Sequence, residues 1–217
     1  MIRFVTGSDV GVGKTVVAAV MARADQRAGH SVGYLKPVQT GIPKDASGDA
    51  DFVHAAAGVP AHEALRFSLK LDPAVAADQA AVTVGLDWLV NLARAHASGV
   101  EVLYVEGTGG LLSPLTGELT MADLAMQLGA DLIVVTRVGP GTLSQVALTL
   151  EAARRRSLQV LGLVVNQWPR NPGVLEQANL DRLRRIAPVL GLLAAREGLD
   201  TSRLPAKPLD LELAPPT

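Results

Sequence analysis

The chain has 217 residues, enough for one α/β domain with a well-buried core and tight for two. Its 20 Lys and Arg nearly cancel 21 Asp and Glu, and a formal net charge of -1 gives no electrostatic footprint for DNA, RNA or an anionic membrane. The absence of cysteine excludes disulfides, thiolate metal sites, iron–sulfur clusters and cysteine nucleophiles, and four scattered histidines do not make a metal centre.

Short apolar, β-branched runs alternate with helical patterns, which predicts a mostly parallel sheet flanked by helices. The amino terminus enters a strand over 2–6 (IRFVT) without the features of a signal peptide, and no apolar run approaches the roughly 20 residues of a membrane span, so a cytoplasmic location is expected. A helix over 14–28 and a strand over 31–36 (SVGYLK) follow, then an exposed loop over 42–48 (IPKDASG) and a helix over 50–57. Further along, a helix over 83–97 precedes a strand over 100–106 (VEVLYVE), and a helix over 121–127 precedes one over 131–136 (DLIVVT). The pattern closes with a helix over 143–156, a strand over 159–166 (QVLGLVVN), a helix over 174–186 and a shorter strand over 188–193. Gly29, Gly58 and Gly99 fall where C-terminal helix caps are expected, and the tail from Pro205, with four prolines, reads as partly irregular. A single domain over 1–217 is expected, with no internal repeat.

Ligands of an open parallel sheet gather beyond the carboxyl ends of its strands. SDVGVGKT, residues 8–15, lies there, between the first strand and the first helix. It matches the phosphate-binding frame G-x-x-x-x-G-K-[ST] except at its first position, where Ser8 stands one residue after Gly7. Gly11 and Gly13 free successive N–H groups to face phosphate oxygens, the helix adds its positive end, Lys14 suits the β and γ phosphates and the Thr15 hydroxyl suits Mg²⁺. Gly7 is positioned to supply the tight turn one residue early. KPVQTG, residues 36–41, puts Lys36 at the predicted end of the second strand. That position suits either a positioned cation or a surface lysine ending an edge strand. In VEGTGGLLSPL, residues 105–115, Glu106 closes a buried strand where a carboxylate can serve Mg²⁺ or simply solvate the strand end, and the glycines after it allow close approach to a ligand. In GDADF, residues 48–52, Asp49 taken alone reads as a helix N-cap. Asn166 ends a strand and reads equally as a reader of a base edge or as a turn former.

In this order and spacing, TGSDVGVGKT, KPVQTG and VEGTGGLLSPL make the chain resemble the dethiobiotin synthetases, which close the ureido ring in biotin synthesis at the expense of ATP. The resemblance extends to about Gly173 and implies a three-layer fold of the P-loop NTPase type. It implies that Gly11, Val12, Gly13, Lys14, Thr15 and Val16 contact ATP phosphates, and that Gly107, Thr108 and Gly109 lie against the nucleotide. Thr15, Asp49 and Glu106 would surround Mg²⁺, with Asp51 as the alternative to Asp49, and Asn166 and Gln167 would lie by the adenine. Lys36 matches the active-site lysine, acting with Lys14, while Thr40 and Gly109 would lie near the diamine, 7,8-diaminononanoate. The resemblance also implies a homodimer in which Gly141, Thr142 and Leu143, at a helix start, receive the substrate carboxylate from the neighbouring subunit. In such enzymes an amine captures CO₂ as a carbamate, which is phosphorylated to a carbamic-phosphoric anhydride and closed by the second amine. The family's usual Thr is Ser8 here, its Asn-His after the helix start is Ser144-Gln145, its Gly-Glu-Ile-Pro-like strand end is GLLA (191–194), and its Asn-Asp pair is Asn166-Gln167. The last difference leaves the choice among ATP, CTP and GTP open. Chromosome-partition and septum-placement switch ATPases carry an extra lysine early in the loop, where this chain has Asp9-Val10-Gly11, and cobyrinate synthetases add a cysteine-dependent glutaminase domain.

Overall fold

The computed structural model describes residues 1–196 and 199–215. In chain order its elements are β1 (Ile2–Gly7), α1 (Lys14–Arg27), β2 (Val32–Thr40), α2 (Asp49–Ala57), β3 (Ala61–Phe67), α3 (Pro73–Gln79), α4 (Leu86–Ser98) and β4 (Val102–Gly110). A short antiparallel hairpin, β5 (Pro114–Thr116) and β6 (Leu119–Thr120), leads to α5 (Met121–Leu128), β7 (Asp131–Arg137), α6 (Thr142–Arg155), β8 (Val160–Trp168), α7 (Val174–Ile186) and β9 (Val189–Ala194). Seven strands form one parallel sheet in the order β3-β2-β4-β1-β7-β8-β9. Because β1 is central, the loop that follows it opens in the middle of the sheet's carboxyl edge.

The two-residue period of the strands divides their side chains between two faces. Phe4, Leu35, Leu103, Val105 and Leu132 pack with α4 and α5 residues such as Leu89, Met121 and Leu124. Val5, Tyr34, Val102, Tyr104, Ile133 and Val135 turn the other way, against Val16, Val17 and Val20 of α1 and Phe52 and Val53 of α2. A third cluster joins Val134, Leu163 and Val165 to Val146 and Leu150 of α6 and Leu180 and Leu183 of α7. Continuing that alternation, Lys36 follows Tyr34 and Glu106 follows Tyr104 onto the α1/α2 face. These two charged side chains thus follow two rows whose earlier members, Tyr34 and Tyr104 among them, are core.

The sheet has one strand more than the sequence pattern predicts. β3 escaped because AHEALRF is an edge strand with mostly half-buried residues and so lacks a clear apolar run. The helix α3 and the β5–β6 hairpin were also unforeseen. Strand β2 does not end at Lys36 but runs through Pro37 to Thr40: β4 pairs with it only as far as Leu35, so the proline's missing donor breaks no ladder to β4. Likewise β4 runs past Glu106 to Gly110. The described part of the tail, 205–215, is irregular, as expected, but is tied down. Leu192 and Ala214 form an antiparallel bridge, the Leu209 N–H donates to the Ala56 carbonyl, and Arg27 pairs with Asp210 (3.1 Å) and Glu212 (3.2 Å). Among the described residues no helix is long and apolar enough to cross a membrane.

Candidate active site

The phosphate-type loop has the backbone shape its glycines allow. Gly11 and Gly13 have φ of +72° and +90°, and Gly13 is the N-cap of α1 with no side chain capping it, which leaves the first helical N–H groups open toward an anion. Asn166 on β8 braces this turn by donating from Nδ2 to the Val12 carbonyl at 2.8 Å. A Cβ at Gly13 would lie 2.0 Å from that same Nδ2. Gly7 is not the turn residue. It ends β1 without left-handed backbone, and glycine is needed because a Cβ would stand 2.6 Å from the Asp9 carbonyl oxygen and 2.8 Å from Val12. Ser8 in turn fastens the loop to β7: its N–H donates to the Val135 carbonyl (2.9 Å) and its hydroxyl to Thr136 Oγ1 (2.9 Å).

Beside the loop lies a buried charged cluster. Lys36 Nζ is 2.7 Å from Asp49 Oδ2 and 2.7 Å from Glu106 Oε1. Glu106 Oε1 also accepts from the Thr15 hydroxyl (2.9 Å), and its Oε2 accepts from the Tyr34 hydroxyl (2.8 Å). Burial opposes the charge on Lys36, but Asp49 and Glu106 outweigh it and hold the ammonium above its ordinary range. Burial would raise the Asp49 carboxyl, yet Lys36 pulls it below its ordinary value. Tyr34 is pushed well up by burial and by Glu106, so it stays a hydrogen-bond donor. Lys14, 8% exposed, makes no hydrogen bond or ion pair within the described residues, and burial followed by the charge of Lys36 pushes it down to about 8.

The reading of Asp49 as an N-cap is overturned. Gly48 is the cap of α2, its N–H is taken by Asp51 Oδ2 at 2.8 Å, and the first helical residue, Asp49, turns its carboxylate to Lys36. Of the two aspartates only Asp49 joins the cluster. Thr15, Asp49 and Glu106 thus bring together hydroxyl and carboxylate oxygens, a donor set suited to a small hard cation such as Mg²⁺.

These groups line a cleft of about 790 Å³ across the carboxyl edge of the sheet. On the β2 and β4 side it is bounded by Lys36, Gln39, Thr40, Thr108 and Gly109, and by Lys70, Leu71 and Asp72 from the segment between β3 and α3. On the β8 and β9 side it is bounded by Asn166, Gln167, Leu193 and Ala194, then Arg196, Leu199, Asp200, Thr201 and Leu211. Two expected nucleotide contacts sit beneath the lining instead. Val12 is 2% exposed, and Gly107 lies over the Phe4 ring, which a Cβ would meet at 2.9 Å. Gly141, Thr142 and Leu143 are at the start of α6 but do not line this cleft: Thr142 is buried with its hydroxyl on the Arg137 carbonyl (2.7 Å). That helix reaches the loop through Gln145, whose Nε2 donates to Asp9 Oδ2 at 3.0 Å. The 70–72 segment and the carboxyl-terminal wall were not foreseen. Their signals were Asp72-Pro73, an N-cap and N1 pair for α3, and the alternation LDLEL at 209–213, whose leucines pack inward while Asp210 and Glu212 meet Arg27.

Comparison with known proteins agrees with this geometry. A family model described as an AAA domain matches residues 3–203. The ATP-dependent dethiobiotin synthetase BioD of Mycobacterium sp. (strain JLS) is 40% identical over 216 residues, covering 95% of this chain and 94% of the relative. That of Corynebacterium diphtheriae is 39% identical over 197 residues, covering 89% and 88%. Among solved structures, the fold is similar to the MinC:MinD cell division complex of Aquifex aeolicus (TM-score 0.58, 13% identity, covering 93% of this chain and 84% of that one). It is also similar to cobyrinic acid a,c-diamide synthase of Mycobacterium smegmatis with bound ADP and magnesium (TM-score 0.59, 16% identity, covering 93% and 89%). The septum-placement and cobyrinate proteins therefore share the fold, whereas the two sequence relatives named above are both dethiobiotin synthetases. With its variant loop, its Lys36 cluster and these relatives taken together, the chain belongs to the ATP-dependent dethiobiotin synthetase family.

Proposed function

We propose that residues 1–217 act as one ATP-binding unit that converts 7,8-diaminononanoate, CO₂ and ATP into dethiobiotin, ADP and phosphate. The observation that carries this reading is the pairing of two buried cations at one cleft: Lys36, clamped by Asp49 and Glu106, and Lys14, which has no ion-pair partner among the described residues. A carbamate is a poor electrophile because its carbon bears an anionic oxygen, and phosphorylating that oxygen makes it a leaving group. In the proposed sequence the carbamate oxygen attacks the γ-phosphorus and the bond to the β-phosphate oxygen breaks, leaving ADP. The second amine then attacks the carbonyl carbon, loses a proton and expels inorganic phosphate as the cyclic urea forms.

The residues divide this work by location. Gly11, Gly13, Lys14, Thr15 and Val16 would bind the phosphates through backbone N–H groups, with Lys14 balancing the charge that moves onto the bridging oxygen. Lys36, at the border between the loop and the β2/β4 half of the cleft, would hold the carbamate oxygen in line, and Thr40 and Gly109 would flank the diamine. Thr15, Asp49 and Glu106 would hold Mg²⁺, which supplies charge neutralisation for the polyphosphate. Asn166 and Gln167 would border the base. Gly141, Thr142 and Leu143 would complete the site of a neighbouring subunit, which accords with their position outside this chain's own cleft. No side-chain nucleophile is needed.

The test is phosphate release from Mg-ATP with and without the diamine and bicarbonate, with the products identified by mass. Release that requires both, together with dethiobiotin, supports the reading. Release indifferent to the diamine would overturn it.

A further inference from the structure

We infer that Arg66, on the edge strand β3 and outside the cleft lining, is a positioning residue that fixes the Asp49 carboxylate by building the loop before α2. Every arm of its guanidinium is engaged. Nε donates to Glu63 Oε1 (2.6 Å) and Nη2 to Glu63 Oε2 (3.0 Å), a two-point pairing. Nη1 donates to the carbonyls of Pro43 (3.2 Å), Lys44 (3.2 Å) and Ala46. Nη2 also lies 3.7 Å from Asp51 Oδ2, the carboxylate that caps α2 through the Gly48 N–H.

The loop over 42–46 is otherwise exposed or half-exposed, and one internal backbone bond, from Ala46 N–H to the Pro43 carbonyl, is its own contribution. Arg66 thus gathers three carbonyls of a chain segment that has no sheet or helix to order it. The segment delivers Gly48 against the same two side chains: a Cβ there would lie 2.7 Å from Glu63 Oε2 and 2.8 Å from Arg66 Nη2. The next residue is Asp49, whose N–H is received by Gln39 Oε1 (3.0 Å) and whose carboxylate meets Lys36. The chain of contacts runs from Arg66 through the loop and the α2 cap to the cluster beside the phosphate loop. Lysine cannot substitute, because an ammonium has three donors and no planar fork.

The inference rests on the proposed reaction for its kinetic half only. Arg66→Gln and Arg66→Lys are compared with wild type for kcat, for ATP affinity by direct binding, for thermal midpoint and for tryptic cleavage after Lys44, and Gly48→Ala serves as a variant that keeps Arg66. The expected result is that both Arg66 variants and Gly48→Ala are cut after Lys44 at least about tenfold faster while the thermal midpoint of the whole chain stays near wild type. Their kcat should fall about tenfold to a hundredfold, the range that a displacement of about 1 Å produces, with ATP affinity within about twofold because the phosphate loop is untouched. Combining Arg66→Gln with Gly48→Ala should add little to either alone. Unchanged cleavage after Lys44, rescue by lysine, or a normal kcat with the loop opened would each overturn the inference. Failure of the wild type to form dethiobiotin would overturn the proposed reaction, leaving the cleavage result to decide the role of Arg66 in the loop.

Discussion

Replacing Lys36 by methionine tests the charged cluster as a piece of folding energetics, apart from any turnover. Methionine keeps most of the volume of a side chain that is 4% exposed, so what is lost is the charge and two contacts of 2.7 Å. Asp49 and Glu106 then lose the cation that contacts both of them, with only the more distant charge of Lys14 remaining, and breaking a buried pair in this way costs about 3–5 kcal/mol. For a chain of this size each kcal/mol is worth about 2–4 °C, so the metal-free variant should melt roughly 6–20 °C below wild type. The pH dependence has a definite sign. In the wild type the Asp49 carboxyl titrates below its ordinary 3.8, so its contribution is present above that value and is lost as pH falls through the depressed one. The variant lacks that contribution from the start, and the gap between the two proteins should therefore narrow on acidification. Thermal melts in EDTA at pH 7 measure the gap, and melts carried down from pH 5 to pH 2 measure its narrowing. A variant that melts within about 2 °C of wild type at pH 7 would refute the reasoning.

Other outcomes follow from single contacts. Gly13→Ala should lower nucleotide affinity at least about tenfold, because a Cβ at φ +90° strains the turn by about 1–2 kcal/mol and displaces the Asn166 brace at 2.0 Å; unaltered binding in a nucleotide titration would contradict this. Lys14 titrates near 8 when folded against 10.5 ordinarily, so the unfolded chain holds more protons between those values. The stability of nucleotide-free protein should then rise across that window relative to Lys14→Met, by up to about 3 kcal/mol, and parallel urea midpoints from pH 7.5 to 10.5 would count against it. Glu106→Gln keeps the shape but weakens the oxygen donor set, so the Mg²⁺ concentration for half-maximal turnover should rise severalfold, and an unchanged metal titration would make Glu106 structural. Arg27→Ala should lower stability by less than about 1 kcal/mol, since Asp210 and Glu212 are exposed partners; a larger loss in urea unfolding would assign the tail more than a surface tether.

What could be read from the sequence follows the strength of the local signal. The central strands announce themselves as apolar runs, and the loop after β1 carries glycine, lysine and threonine at a spacing with a clear physical purpose. Lys36 and Glu106 stood out because a charge at the end of an apolar run is expensive unless it is used. β3 was not legible, because as an edge strand of mostly half-buried residues it alternates weakly, whereas the 70–72 segment was marked only by the Asp72-Pro73 pair that starts α3. Asp49 was misread because the capping propensity of aspartate is a local rule, whereas the carboxylate answers to Lys36, thirteen positions earlier in sequence and adjacent only after β2 and α2 meet. The brace from Asn166 to the Val12 carbonyl spans 154 residues and leaves no trace in either segment.

The strand order has a consequence for the timing of assembly. β1 is synthesised before both of its neighbours, yet it takes its place between β4 and β7, so Ile2 waits for Leu103 and Arg3 for Asp131. The β8/β9 wall of the cleft is later still, since Leu193, Ala194 and Leu211 follow β8 in the chain. A nascent chain exposing only β1 through β7 would hold the whole phosphate loop and the Lys36 cluster but neither the Asn166 brace nor this wall. ATP is therefore expected to favour the fold of the finished polypeptide and to give little help to its precursors on the ribosome, where β1 and its apolar neighbours depend on chaperones or on the slow arrival of their partners.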